Sequence, residues 1–309
     1  TESDLLESRP FHDAIAHGGW PIDLHPPNGI DASDQKPANQ LALPYVYDIP
    51  LRACVSRDVP NLMFAGRNMS ASHVAFGSTR VMATCAAAGQ GVGTAAAHAV
   101  LHDIAPRELS GHSEAMAAIQ QQLLRDDAYL IGVTRNDPAD LAPHAQITAS
   151  SEQETGPAAN VLRGPTRAVH GPKGAPPGRA EAGAHRWMSR PEDGLPASIT
   201  LAWDAPINPA QVQLIFDTGM HRPLTLSHSD AYAARMEWGQ AQSECVRDYR
   251  IEGFNEGAWS LLAEVAGNWQ RRRVHHIKAA QPVTQMRLTV LAANGLDHAR
   301  VCEVRVYEA

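Results

Sequence analysis

Four residue groups in this 309-residue chain have types and spacings that do chemistry. The first is His12, His17, Asp23-x-His25 and Ser72-His73. Imidazole titrates near neutrality, so His25 or His73 suits proton transfer, with Asp23 beside them as a carboxylate partner. His17, Asp23, His25 and His73 also offer nitrogen and oxygen ligands for zinc or another divalent ion. An open coordination position there would activate water for hydrolysis. Their spacing matches no recognised zinc signature, and both readings stay open. The second group is Asn61-Leu62-Met63-Phe64-Ala65-Gly66-Arg67-Asn68-Met69-Ser70, continuing through Ser78-Thr79-Arg80 to Gly89-Gln90-Gly91-Val92-Gly93. A short apolar run, a polar turn and a small-residue helix suit a large anion lying against backbone: Gly66 admits close approach and Arg67 pairs with phosphate. The third is His98 and His102, four apart on a helix, a spacing that chelates metal but without an evident third ligand. The fourth is Ser70, Ser72 and Ser78, which lack the Gly-x-Ser-x-Gly elbow of a serine hydrolase.

The elements that must position these groups follow from pattern. Residues 1–40 read as irregular and 41–60 as short extended pieces, including Leu51–Val55. Asn61–Ala65, apolar and bounded by Pro60 and Gly66, reads as a central parallel strand. From Thr79 to His102, Ala-rich composition favours helix, while Gly89, Gly91 and Gly93 each cost about 1 kcal/mol there, which implies close packing on a sheet or ligand. Ser113–Arg125 reads as a second helix with a partial apolar face. Asp48 and Arg52, flanking Ile49-Pro50-Leu51, read as a structural ion pair or as residues that orient substrate. Residues 134–195 turn rich in Pro, Gly, Ala and Ser. Beyond them, alternation at period two marks strands at 198–203, 212–216, 286–290 and 301–307, the signature of an antiparallel sandwich. Trp187, Trp203, Trp238, Trp259 and Trp269 read mainly as packing residues, with sugar stacking as the role of any that sit on loop tips. Arg271-Arg272-Arg273 with His275-His276 reads as a solvated strand or loop.

Composition narrows the classes. A 44% hydrophobic, 19% charged chain is that of a soluble protein with a sizeable core. A net charge of −7 carries no basic footprint for nucleic acid. No apolar run is long enough for a membrane span. The four cysteines are widely spaced and read as buried thiols, with Cys245–Cys302 the one disulfide left open. No opening stretch reads as a signal peptide, so the compartment, cytoplasmic or periplasmic, stays open, as does a homo-oligomeric state.

Ala14–His25, Ile49-Pro50-Leu51-Arg52 and Asn61–Ala97 together resemble the C-terminal part of bacterial FAD-dependent oxidoreductases of the two-dinucleotide-binding flavoprotein class. The resemblance implies a partial Rossmann-like FAD-binding domain at 1–140, with Gly66, Arg67, Asn68, Ser78, Thr79 and Arg80 contacting FAD and His25, His73 and Asp23 at its reactive face. The family opens with strand–Gly-x-Gly-x-x-Gly–helix for the ADP half, a motif this sequence lacks. The chain therefore reads as a C-terminal portion, a subunit of a split enzyme or a truncated product, partnered by a complementing chain that carries that half. Residues 141–309, through Ile147–Glu152, Trp187-Met188-Ser189 and Ala299–Tyr307, resemble a galactose-binding-like (discoidin-type) β-sandwich. The function implied is FAD-dependent oxidation of a small hydroxylated or carbohydrate-like substrate. The alternatives are a metal-dependent hydrolase on a flavin-like scaffold that lost its cofactor, and a carbohydrate-binding module.

Overall fold

The computed structural model describes residues 1–168, 174–179, 183–220, 237, 239–278 and 281–308. The chain forms two compact units: Thr1–Arg135 with Val169–Glu181, and Asn136–Ala168 with Ala182–Ala309.

The first unit mixes helices with short antiparallel ladders. Its opening residues are ordered elements rather than irregular chain: α1 (Glu2–Leu6), β1 (Ala14–Gly18), β2 (Ile22–Leu24) and β3 (Asn39–Leu41). β1 pairs antiparallel with β4 (Tyr47–Pro50), and β2 with β3. Leu51–Cys54 is a 3-10 turn, not an extended piece. Three helices follow: α2 (His73–Thr79), α3 (Met82–His102) and α4 (Ser113–Arg125). The helix expected over 113–125 forms with those bounds, while the helical run expected from Thr79 is broken at Arg80-Val81.

The expected parallel strand at Asn61–Ala65 does not form. That run makes one isolated antiparallel bridge, Val55 to Met63. The Phe64 N–H donates to Cys54 O at 2.7 Å and the Ser56 N–H to Leu62 O at 2.9 Å. A parallel strand needs neighbours reached by long crossovers, and no described segment supplies one.

α3 owes its place to Gly91. A Cβ at this position would lie 2.6 Å from the Ile15 carbonyl oxygen and 2.8 Å from Ile15 Cβ, so helix and strand meet backbone to backbone. The glycines of α3 thus differ: Gly91 packs on the sheet, Gly89 faces Ala65 at 3.9 Å, and Gly93 faces open space. Ile15, Ile49, Leu51, Val92, Ala95, Met116, Ile119 and Leu123 build the core of this unit.

The ion pairs differ from the sequence reading. Arg52 binds the buried Asp13 (Nε to Oδ2, 2.9 Å), and Asp48 takes Arg179 (Nη2 to Oδ2, 2.7 Å). Burial works to raise the Asp13 carboxyl, but the bonds and charge of Arg52 hold it below the ordinary carboxylate range.

The second unit is the expected antiparallel sandwich. One sheet runs β10–β9–β12–β7–β5, made of β5 (Gln146–Ala149), β7 (Ala197–Ile207), β9 (Val246–Asn255), β10 (Ala258–Val265) and β12 (Val283–Ala293). The other runs β11–β8–β13–β6, made of β6 (Trp187–Met188), β8 (Gln211–Phe216), β11 (Arg272–His276) and β13 (Arg300–Tyr307). Period-two alternation sends Ala197, Ile199 and Leu201 of β7 and Met286, Leu288 and Val290 of β12 inward, against Leu214, Phe216, Val304 and Val306. The Asp140 carboxylate accepts the Val306 N–H at 2.9 Å and the Ala142 N–H at 3.0 Å, tying the entry of this unit to β13.

All four cysteines are free thiols, so Cys245 and Cys302 form no disulfide. Burial pushes the Cys245 thiol up to about 12. The basic run is structural rather than solvated. Arg271 donates to Phe216 O at 2.9 Å and Thr166 O at 2.8 Å, and Arg273 to Asn268 Oδ1 at 3.0 Å. Trp187 is fully buried, the Trp203 indole donates to Leu141 O at 2.9 Å, and Arg287 stacks 4.1 Å over Trp259. Trp269 is 67% exposed, and Trp238 lies outside the described residues.

Two outcomes follow from this packing. Gly91→Ala is expected to destabilise the protein by about 1–3 kcal/mol through overpacking, whereas Gly93→Ala gains up to about 1 kcal/mol of helix propensity; urea unfolding of both variants checks the contrast. Burial pushes the His275 imidazole down to about 4, beside the Tyr249 hydroxyl at 2.9 Å. Because the unfolded chain takes up this proton first, the contribution is complete above about pH 6.5 and is lost as pH falls toward 4, on the order of 1–3 kcal/mol. His275→Gln should flatten the fall in urea midpoint across that window.

Candidate functional site

Of the residues expected to carry chemistry, Ser72, His73, Ser78, Thr79 and Arg80 lie on or next to α2, up to its junction with α3. Ser72 opens α2 as its N-cap, its hydroxyl accepting the Ala75 N–H at 3.4 Å. That capping role leaves no sign of an activated nucleophile. Four residues after His73, Gly77 abuts β2: a Cβ there would sit 2.8 Å from the Asp23 carbonyl oxygen. Positions four apart share a helix face, so His73 lies on the face of α2 that meets Asp23. Ser78 is wholly buried, donating to Trp20 O at 2.5 Å and bonded to the Tyr47 hydroxyl at 2.6 Å. Its hydroxyl is thereby committed inside the fold. Burial pushes the Tyr47 phenol up to about 12, so it stays a neutral donor.

Thr79 is different. It is buried, yet its Oγ1 has no hydrogen-bond partner among the described residues. Arg80 then turns back to β2, its guanidinium reaching Asp23 O and Asp23 Oδ2, both at 3.2 Å. Asp23 Oδ1 is likewise buried and unpartnered. Two residues past Arg80, the 21-residue α3 begins, with Val81 as an N-cap that supplies no side-chain bond. The Cys85 N–H is the first to bond back, to Val81 O, so the amides of Met82, Ala83 and Thr84 have no intrahelical acceptor.

Gly66 bends the incoming chain with φ +115°, a conformation glycine tolerates. Arg67 and Asn68 are exposed. The Arg67 guanidinium lies over the Phe76 ring at 5.6 Å. Burial raises the Cys85 thiol while the charge of Arg67 opposes it, which sets Arg67 near the first turn of α3. Phe76 was not singled out from sequence, and Cys85, read there as a buried thiol, is only half-buried; no local pattern marks a residue as the neighbour of a distant arginine.

The imidazoles do not gather as a metal site. The His17 ring bonds Tyr129 O at 3.0 Å. His25 faces an acceptor on each nitrogen, Pro37 O at 2.8 Å and Asp23 Oδ2 at 3.3 Å. His73 is exposed at the start of α2. His12 sits between Ser110 O and Arg52. Among the described residues, no group of three or more His, Cys, Asp or Glu is arranged to hold a metal. The set His17, Asp23, His25 and His73 is therefore corrected: these four form no such group, His17 being turned to Tyr129 O while Asp23 faces His25 and Arg80. No described helix is long and apolar enough to cross a membrane.

Residues 1–123 match the family described as FAD dependent oxidoreductase, which bears out the resemblance of the opening part of the chain. No curated protein matches the chain. Similar solved structures include the family 32 carbohydrate-binding module of NanJ from C. perfringens, in complex with galactose, at 14% identity over 55% of this chain and 98% of that one, TM-score 0.38. Another is the family 32 carbohydrate-binding module from Streptococcus pneumoniae EndoD, at 16% identity over 55% of this chain and 99% of that one, TM-score 0.39.

Proposed function

We propose that the first unit is the flavin-ring-binding part of an FAD-dependent oxidoreductase acting on a small hydroxylated or carbohydrate-like substrate. The observation that carries this reading is the orphaned, buried Thr79 hydroxyl beside the uncapped amide end of α3. A flavin ring is rich in acceptors along its pyrimidine edge. Thr79, the amides of Met82 to Thr84 and the nearby Arg67 are a donor set of matching chemistry, and the helix end adds partial positive charge. Bound there, FAD would supply hydride acceptance. Gly66 and Asn68 shape the turn that carries Arg67, and Ser78 holds the α2–α3 junction from within.

The chain's own part in proton transfer falls to His73, exposed and on the α2 face that meets Asp23. His25, held between Asp23 and Pro37, has no nitrogen turned to open space and serves with Arg80 to orient Asp23. The ADP half is assigned to a Gly-x-Gly-x-x-Gly segment on polypeptide outside these residues. α3 leaves large apolar side chains uncovered at both ends, Met82 at the first and Val100 and Leu101 at the last, exposed at 84, 83 and 79%, and such a partner would cover them.

A second reading, sugar binding by the sandwich, rests on Trp269, whose ring is open for stacking. Titration of the purified chain with riboflavin, followed by flavin fluorescence, tests the first reading. Quenching that weakens roughly fivefold in Thr79→Val, one lost hydrogen bond, is expected; no quenching with the unaltered chain would sink it. For the second, a glycan array should show binding that Trp269→Ala abolishes, and an empty array rules it out.

A further inference from the structure

Away from the α2–α3 junction, α3 ends on a different chemistry. Its last turn carries His98 and His102, whose ring centroids stand 4.2 Å apart at an interplanar angle of 33°. Both line an open cleft of about 460 Å³ shared with Ile104, His112, Ser113 and Glu114 at the start of α4. Neither ring hydrogen-bonds the rest of the chain among the described residues. In a protein whose other histidines at positions 12, 17 and 25 are engaged by carbonyls or by Arg52 and Asp23, this pair is unoccupied work for two imidazoles.

We infer that His98 and His102 form a transition-metal site, binding Zn²⁺ or a neighbouring ion of the same preference in the cleft between α3 and α4. Residues four apart on a helix place their Cβ atoms about 5–6 Å apart, so two imidazole nitrogens reach one ion from a single face, as paired histidines do in helical zinc motifs. Three further features favour a cation. The site sits at the carbonyl end of a 21-residue helix, where the macrodipole is negative. Asp103, the C-cap, follows directly, with φ +52°. Glu114 lines the same cleft, and among the described residues no Lys or Arg does. Among the described residues no third His, Cys, Asp or Glu is arranged with them to hold an ion, so water completes the coordination shell and the affinity is that of a two-imidazole chelate. The site is independent of the flavin reading: it shares no residue with it.

Calorimetric titration of the full chain with ZnCl₂ at neutral pH tests the inference, with His98→Gln, His102→Gln and the double variant compared at equal folding by circular dichroism. Each single variant is expected to weaken binding at least about tenfold, the scale on which even supporting residues of metal sites act. Excess zinc should also raise the thermal midpoint of the unaltered chain and not that of the double variant, because only a ligand that binds the folded state shifts it. Zinc affinity unchanged in the double variant, or no zinc binding by the unaltered chain, would overturn it.

Discussion

The first unit depends on the approach of α3 to β1 at Gly91. Only hydrogen fits between the helix axis and the Ile15 carbonyl. That contact sets the depth at which Val92 and Ala95 meet the core, and with it the heights of both helix ends. One end presents three unbonded amides beside Thr79; the other presents the histidine pair above α4. A single steric constraint thus fixes two chemically opposite termini, one suited to anions and one to cations.

β1 does further work through its partner. The β1–β4 ladder places Tyr47, whose hydroxyl meets Ser78 at 2.6 Å, and so locks the end of α2. β2 does the same from the other side, through the Gly77–Asp23 contact and the Arg80–Asp23 pair. The junction is therefore held by hydrogen bonds to Trp20, Asp23 and Tyr47, while Thr79 stays unsatisfied. A buried polar atom without a partner costs free energy, and such costs concentrate at binding sites, where a ligand relieves them.

The sandwich follows a different logic. Its apolar core comes from alternation, and the polar groups buried with it are bonded to one another or to backbone. Glu303 and Arg305 of β13 are both buried and bonded to each other, Nε to Oε2 at 2.8 Å, and Asn268 ties Val246 O at 2.7 Å and Gln270 O at 3.1 Å. Such networks add directional specificity to a core whose apolar packing is not directional.

The sequence by itself determined the helix at 113–125, most of the helix to His102, the alternating strands of the sandwich and the family resemblance of the opening residues. These are local: propensity, period and turn chemistry act over a few residues. Tertiary structure decided what depends on distant partners. Asp48 chose Arg179, 131 residues away, over nearby Arg52, and Arg52 chose Asp13. Asn61–Ala65, apolar enough for a central strand, found no parallel neighbour and stayed a bridge. The imidazoles of the opening segment were drawn apart by separate carbonyls, whereas His98 and His102 were kept together by helix geometry. Pairing across a fold is set by which backbone brings charges and edges together, and composition carries no record of that choice.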